Sequence, residues 1–141
     1  MSQRPSFRLA RLSAADRILV GGSLLLLIDS FLDWQAGLNA WGGSGAFAGV
    51  LMALFALLLL VGEVMAAFRV AMPAGVPVST VMGGLTVGEV LFGIIKFLFV
   101  VANHPRAAAW IGLVLIVVVT YGGYMKMQAE RIGSTPSGFD D

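Results

Sequence analysis

Cysteine is absent from the 141-residue chain, and histidine occurs once, at His104. Without cysteine there is no disulfide, no thiolate nucleophile and no cysteine-ligated metal. One histidine, in a loop beside Pro105, cannot supply the paired axial ligands of a membrane cytochrome, and no E-x-x-H arrangement offers a carboxylate metal centre. Charge is scarce too, at 12% of residues with a net charge of +1, which points to neither nucleic acid nor an acidic partner. Serines have no base near them in sequence, and no glycine-rich phosphate cradle follows a strand, because no strand is expected. Gly42-Gly43-Ser44-Gly45 reads better as the start of a helix than as a nucleotide loop. The expectation is a protein without cofactor or metal, and not an enzyme.

What the chain has in abundance is apolar sequence. Hydrophobic residues make up 58% of it and the mean hydropathy is +0.90, too apolar for a soluble domain of this length. Crossing a hydrocarbon core of roughly 30 Å takes about 20 helical residues. The chain therefore accommodates four crossings and little else. The expected helices cover about 14–34, 45–69, 78–102 and 107–127, in one transmembrane domain over 14–129. A basic leader, 1–13, precedes them and a loose polar tail, 130–141, follows. Ser13-Ala14-Ala15-Asp16 resembles a capping box that starts a retained helix rather than a cleaved signal peptide. Met72-Pro73-Ala74-Gly75-Val76-Pro77 makes a tight connection. The fold class is all-α, an integral membrane four-helix bundle.

Orientation follows from the basic residues. Arg4, Arg8, Arg11, Arg17, Arg69, Lys126 and Arg131 fall on one side, against Arg106 and a borderline Lys96 on the other. The excess places both termini in the cytoplasm, in a multi-pass plasma membrane protein. Trp34, Trp41 and Trp110 then lie at the outer interface and Tyr121 and Tyr124 near the inner one, as anchoring aromatics do.

Ionisable groups in hydrocarbon cost roughly 2.5 to 3.5 kcal/mol at the centre, so each needs a partner or a purpose. Asp29 and Lys96 both fall in the outer third and are expected to pair, and Asp33, one turn beyond Asp29, joins them or meets water beside Trp34; interfacial snorkelling without a partner and a transport role are the other readings. Glu63 lies near the inner interface, where Arg17, Arg69 and Lys126 are available. Glu89 sits close to the midplane with no basic residue at its level. Three readings of it stay open: a neutral carboxyl hydrogen-bonded to a neighbouring helix, a proton or cation site, and a contact with a polar group of lipid or a partner subunit. Thr86, Glu89, Gly93 and Lys96 share one stripe of helix 3 and Thr80, Gly84 and Gly88 another, which makes that helix central to the bundle. Gly45, Gly49 and Ala53 on helix 2, with Thr80, Gly84 and Gly88, form small-residue grooves for close helix packing. Helix 4, aliphatic over 111–119, is the best candidate to face lipid.

Asp16-Arg17-Ile18-Leu19, Phe31-Leu32-Asp33-Trp34 and Asn39-Ala40-Trp41 together resemble a group of small bacterial four-helix membrane proteins of unknown function, which open on a D-R-I-like motif and reach F-L-x-W before an N-A-W turn. The resemblance covers about the first 45 residues and implies topology and bacterial origin, with no activity. Such proteins often carry proline where this chain has Asp33. The expected function is that of an accessory or structural membrane protein, acting through intramembrane helix packing as a homo-oligomer or a small subunit of a larger assembly, with lipid and other membrane subunits or itself as partners. The alternative is a small transporter or channel built on Glu89. A water-accessible cavity reaching Glu89 would favour that alternative, and dry aliphatic packing would count against it.

Overall fold

The computed structural model describes residues 13–68, 75 and 77–133. Four helices, α1 (Ala14–Asp29), α2 (Ala46–Ala67), α3 (Val78–Val101) and α4 (Ala107–Gly133), are joined at one end by a minimal hairpin of β1 (Asp33–Gln35) and β2 (Leu38–Asn39). Three are long and apolar enough to cross a membrane: α2 with 22 residues, α3 with 24 and the first 23 of α4. The large aliphatic side chains point outward as well as inward, Val87 being 67% and Val114 62% exposed. A surface of that kind belongs to a protein solvated by lipid. The chain is thus a multi-pass membrane protein of the all-α class.

Ser13 starts α1 as expected: its hydroxyl accepts from the Asp16 amide at 3.1 Å. The helix is shorter than expected, however, ending at Asp29 instead of Trp34 after 16 residues, or about 24 Å. Its last turn tightens, with Phe31 N–H donating to Ile28 and Leu32 N–H to Asp29. The cause lies in Trp34, whose indole is fully buried and donates to the Asp29 carbonyl at 3.0 Å. Bringing that ring into the core turns the chain back on itself. Sequence pattern missed the hairpin because it needs only two or three residues per strand, too few for an alternation to register.

β1 is bonded on both sides. It pairs with β2, Asp33 opposite Asn39, while the α3–α4 connection adds an Arg106 N–H donated to the Trp34 carbonyl at 2.9 Å. Trp34 and Gln35 of β1 are buried, while the hairpin turn at Ala36 and Gly37 is exposed. At the other end, α4 continues through Gly133, so residues 130–133 are helix and not tail. The leader up to residue 12, the stretch 69–74 that holds Arg69, residue 76 and the tail from residue 134 lie outside the described residues.

α1 packs on α2 and α4, and α3 on α2 and α4. Every helix therefore has two close neighbours, and α3 is no more central than the others. Likewise α4, expected to face lipid, buries Ala109, Ile116 and Val119 against its neighbours. Two apolar layers fill the interior. One, toward the hairpin, gathers Leu26, Trp34, Met52, Phe97, Val100 and Ile116; the other gathers Leu19, Leu59, Met82 and Val119. Glycines bring the backbones close: a Cβ on Gly122 would lie 2.9 Å from the Leu19 amide nitrogen, and one on Gly93 2.8 Å from Ile116.

Candidate functional site

Three polar stations interrupt this interior. At the end away from the hairpin, Lys126 of α4 donates to Glu63 of α2 at 2.6 Å and approaches Asp16 of α1 at 3.1 Å. One ammonium thus ties three helices. Glu63 was expected to find a basic partner near this interface, and Lys126 is that partner. Glu63 is 3% exposed, so its charge is answered by Lys126 and not by solvent.

The middle station is Glu89. It is fully buried, and Ser23 of α1 donates to its Oε2 at 3.0 Å while Oε1 has no hydrogen-bond partner. α1 and α3 face each other across the diagonal of the bundle, so this bond crosses its axis. Leu19 and Leu26, one turn to either side of Ser23, belong to the two separate apolar layers. The Ser23–Glu89 pair is therefore enclosed above and below by apolar side chains. Sequence reasoning did not single out Ser23; the available signal was a lone hydroxyl in an otherwise apolar run, in helical register with Leu19 and Leu26.

The third station lies under the hairpin. Lys96 of α3, fully buried, donates to the carbonyls of Gly42 at 2.8 Å and Ser44 at 2.7 Å. The expected pairing of Lys96 with Asp29 does not form. Asp29 is buried, neither of its carboxylate oxygens has a hydrogen-bond partner among the described residues, and it lies against α4, where a Cβ on Gly112 would come within 2.8 Å of Oδ2. Depth along the bilayer brought the two residues to one level, but azimuth separates them: Lys96 reaches toward the start of α2 and Asp29 toward α4. Asp33 is exposed, in β1, and joins neither. Gln35, close by and buried, accepts from the Ser44 amide at 3.1 Å and helps hold the loop that Lys96 anchors.

The aromatic anchors divide. Trp41 and Trp110 are 40% and 49% exposed at the hairpin end, and Tyr121 and Tyr124 are exposed on the distal half of α4. Trp34 is the exception: it is core, and serves as the cap of α1 instead of a surface anchor. The small-residue stripes also divide. On α2, Gly45 meets Phe99, Gly49 lies directly against the Ala40 carbonyl and Ala53 is buried, so that stripe is filled by this chain's own residues. On α3, Gly88 meets Phe55, but Thr80 is exposed and a Cβ on Gly84 would touch nothing within 4 Å.

His104 is exposed with φ 54° in the α3–α4 turn. No group of three or more His, Cys, Asp or Glu side chains converges on a metal position among the described residues. Comparison with protein-family models, with curated proteins and with solved structures finds no match to this chain.

Proposed function

We propose that this chain is an accessory or structural integral membrane protein that works through helix packing within the bilayer, either as a homo-oligomer or as a small subunit of a larger membrane complex. The observation that carries this reading is the enclosure of Glu89 between two apolar layers, with its one hydrogen bond spent on Ser23 across the bundle axis. A carboxyl so placed fixes the register of α1 against α3. In the same way Lys126 and Lys96 are spent on fastening helices and the hairpin loop. With α1 as a fourth crossing, this reading has both termini in the cytoplasm, which the sequence's excess of basic residues on that side supports.

The rival class, a transporter or channel, draws on the unpartnered Oε1 of Glu89 and on Asp29, buried with neither carboxylate oxygen hydrogen-bonded among the described residues. One preparation separates the two. Purification in mild detergent followed by identification of companions is expected to return a stable partner protein or a defined oligomer. Reconstituted vesicles are expected to show no proton or cation flux. Flux in the wild type that disappears in Glu89→Gln would replace the packing reading with transport.

A further inference from the structure

Of the four described helices, α1 alone falls short of a crossing: it has 16 residues, or about 24 Å, against a hydrocarbon core of about 30 Å. Its exposed apolar stripe does not stop where the helix does. Leu24, Leu25 and Ile28 face outward on α1, and Phe31 and Leu32 follow at the same spacing, equally exposed. The tight turn past Asp29 keeps them in register, because the Phe31 and Leu32 amides donate to the Ile28 and Asp29 carbonyls. From Ala14 to Leu32 the stretch measures about 28 Å at 1.5 Å per residue.

Three features suit this extension to hydrocarbon rather than water. Its backbone donors are satisfied within the chain: the Ser30, Phe31 and Leu32 amides donate to Leu26, Ile28 and Asp29, and the Ser30 carbonyl accepts from Ala40. A segment that meets lipid requires that. Trp41 packs on Phe31 with ring centroids 4.7 Å apart, and its indole N–H is donated inward to Ser30 Oγ at 3.1 Å. An interfacial tryptophan ordinarily keeps that N–H for head groups or water; with it spent on Ser30, the exposed part of the ring is purely apolar. Charge then begins directly beyond the stripe, with exposed Asp33 followed by the exposed turn at Ala36 and Gly37.

We propose that Phe31, Leu32 and the Trp41 ring form a lipid-contact surface that completes α1 as a crossing, covered by acyl chains of the leaflet at the hairpin end, with the boundary between hydrocarbon and water passing just beyond Leu32. Continuity selects this occupant: the surface prolongs the outward face of α1 without a break, and Trp110 of α4, exposed at the same end, is a second member of the aromatic belt. A second copy of the chain fits less well. Close approach of helices within lipid draws on small residues, and this surface presents Phe, Leu and Trp. The inference rests on the four-crossing layout of the packing reading and adds to it the level at which the chain leaves the hydrocarbon.

The test places a nitroxide on single cysteines, Leu25→Cys, Leu32→Cys and Ala36→Cys, which the cysteine-free sequence allows, in full-length protein reconstituted in phosphatidylcholine–phosphatidylglycerol vesicles. Power saturation compares collision with oxygen, which concentrates in hydrocarbon, against collision with a nickel chelate, which stays in water. Labels at positions 25 and 32 are expected to favour oxygen, and the oxygen-to-nickel ratio is expected to fall about tenfold by position 36, since a polar chelate is costly to bring into hydrocarbon. Nickel access at position 32 with oxygen preference kept at position 25 would overturn the proposal while leaving α1 a crossing. Nickel access at both would remove the crossing, and the four-crossing layout with it. An oxygen preference at position 36 equal to that at 32 would place the boundary elsewhere and overturn the proposal. Weak collision with both reagents at position 32 would overturn it too, by showing protein over the surface and assigning it to a second copy.

Discussion

Removing the Ser23 hydroxyl tests whether the diagonal hydrogen bond is a structural tie. In Ser23→Ala both carboxylate oxygens of Glu89 lack a partner inside a dry interior, since Oε1 already has none and Oε2 is served by Ser23 alone. In soluble cores the loss of such a donor costs about 1–3 kcal/mol. Interhelical bonds within membranes average nearer 0.6 kcal/mol and reach about 1.7. A value of about 1 kcal/mol is expected, or roughly a fivefold shift in the unfolding equilibrium. Glu89→Met removes the carboxyl at similar volume and is expected to be neutral or slightly stabilising, because an apolar side chain suits the two layers and the freed Ser23 hydroxyl can turn to the carbonyl of its own preceding turn. Ser23→Ala placed on Glu89→Met is then expected to cost almost nothing. Unfolding in mixed micelles of increasing dodecyl sulfate, followed by the fluorescence of the buried Trp34, supplies the double-mutant cycle. Equal costs of Ser23→Ala in the two backgrounds would refute the tie.

The hairpin end offers a second measurement. Lys96→Met strips both donors from the Gly42 and Ser44 carbonyls and is expected to destabilise by about 1–3 kcal/mol, with faster amide exchange over 42–45; unchanged exchange there would show the ammonium is no anchor. Since Asp29 and Lys96 point to different helices, Asp29→Asn and Lys96→Met are expected to be additive within about 0.5 kcal/mol, and a coupling of 1 kcal/mol or more would mean that the two side chains meet. Gly49→Ala drives a methyl into the Ala40 carbonyl and is expected to cost about 2 kcal/mol or more, while Gly83→Ala, free of neighbours, is expected to stabilise by up to about 1 kcal/mol; equal outcomes would contradict the packing described. The absence of native cysteine makes topology directly readable: in intact cells Ala36→Cys, in the exposed hairpin turn, is expected to react with an impermeant maleimide and Ala129→Cys is not, the reverse pattern inverting the layout.

Long apolar segments were legible from sequence because their signal is additive over some twenty residues. α2 and α3 accordingly begin and end within two residues of expectation. Features set by a single side chain were not. Trp34 reads as an interface residue by type, and only the fold reveals a ring that turns inward to cap α1. Charge depth was legible, since 1.5 Å per residue sets the level of every helical position. Azimuth was not, because the rotation of one helix against its neighbours depends on contacts such as Gly22 with Val119 and Gly122 with Leu19. Glu63 found its expected kind of partner because Arg17, Lys126 and Arg131 all lie at that end of the described bundle, so that less depended on one particular rotation. Asp29 and Lys96 required one particular rotation, and it does not occur.

The three stations differ in what they demand of the bundle. Lys126 with Asp16 and Glu63 sits where its side chain is still 25% exposed, so water can replace a lost partner and the cluster tolerates small helix movements. Ser23–Glu89 and Lys96 have no such recourse, being fully buried. A rotation of α3 that moved either one from its acceptor or donor would leave a polar group stranded in hydrocarbon, at several kcal/mol. The two contacts lie seven residues apart on α3, about 10 Å along its axis and on nearly the same face. Two such pins on one helix leave it neither translation nor rotation, while Met52 and Ile116 packed over Gly93 close the space between them. α3 is thereby held at two levels despite its ordinary position in the ring. Its outer face around Thr80, Gly83 and Gly84 is exposed and left unfilled by the described residues.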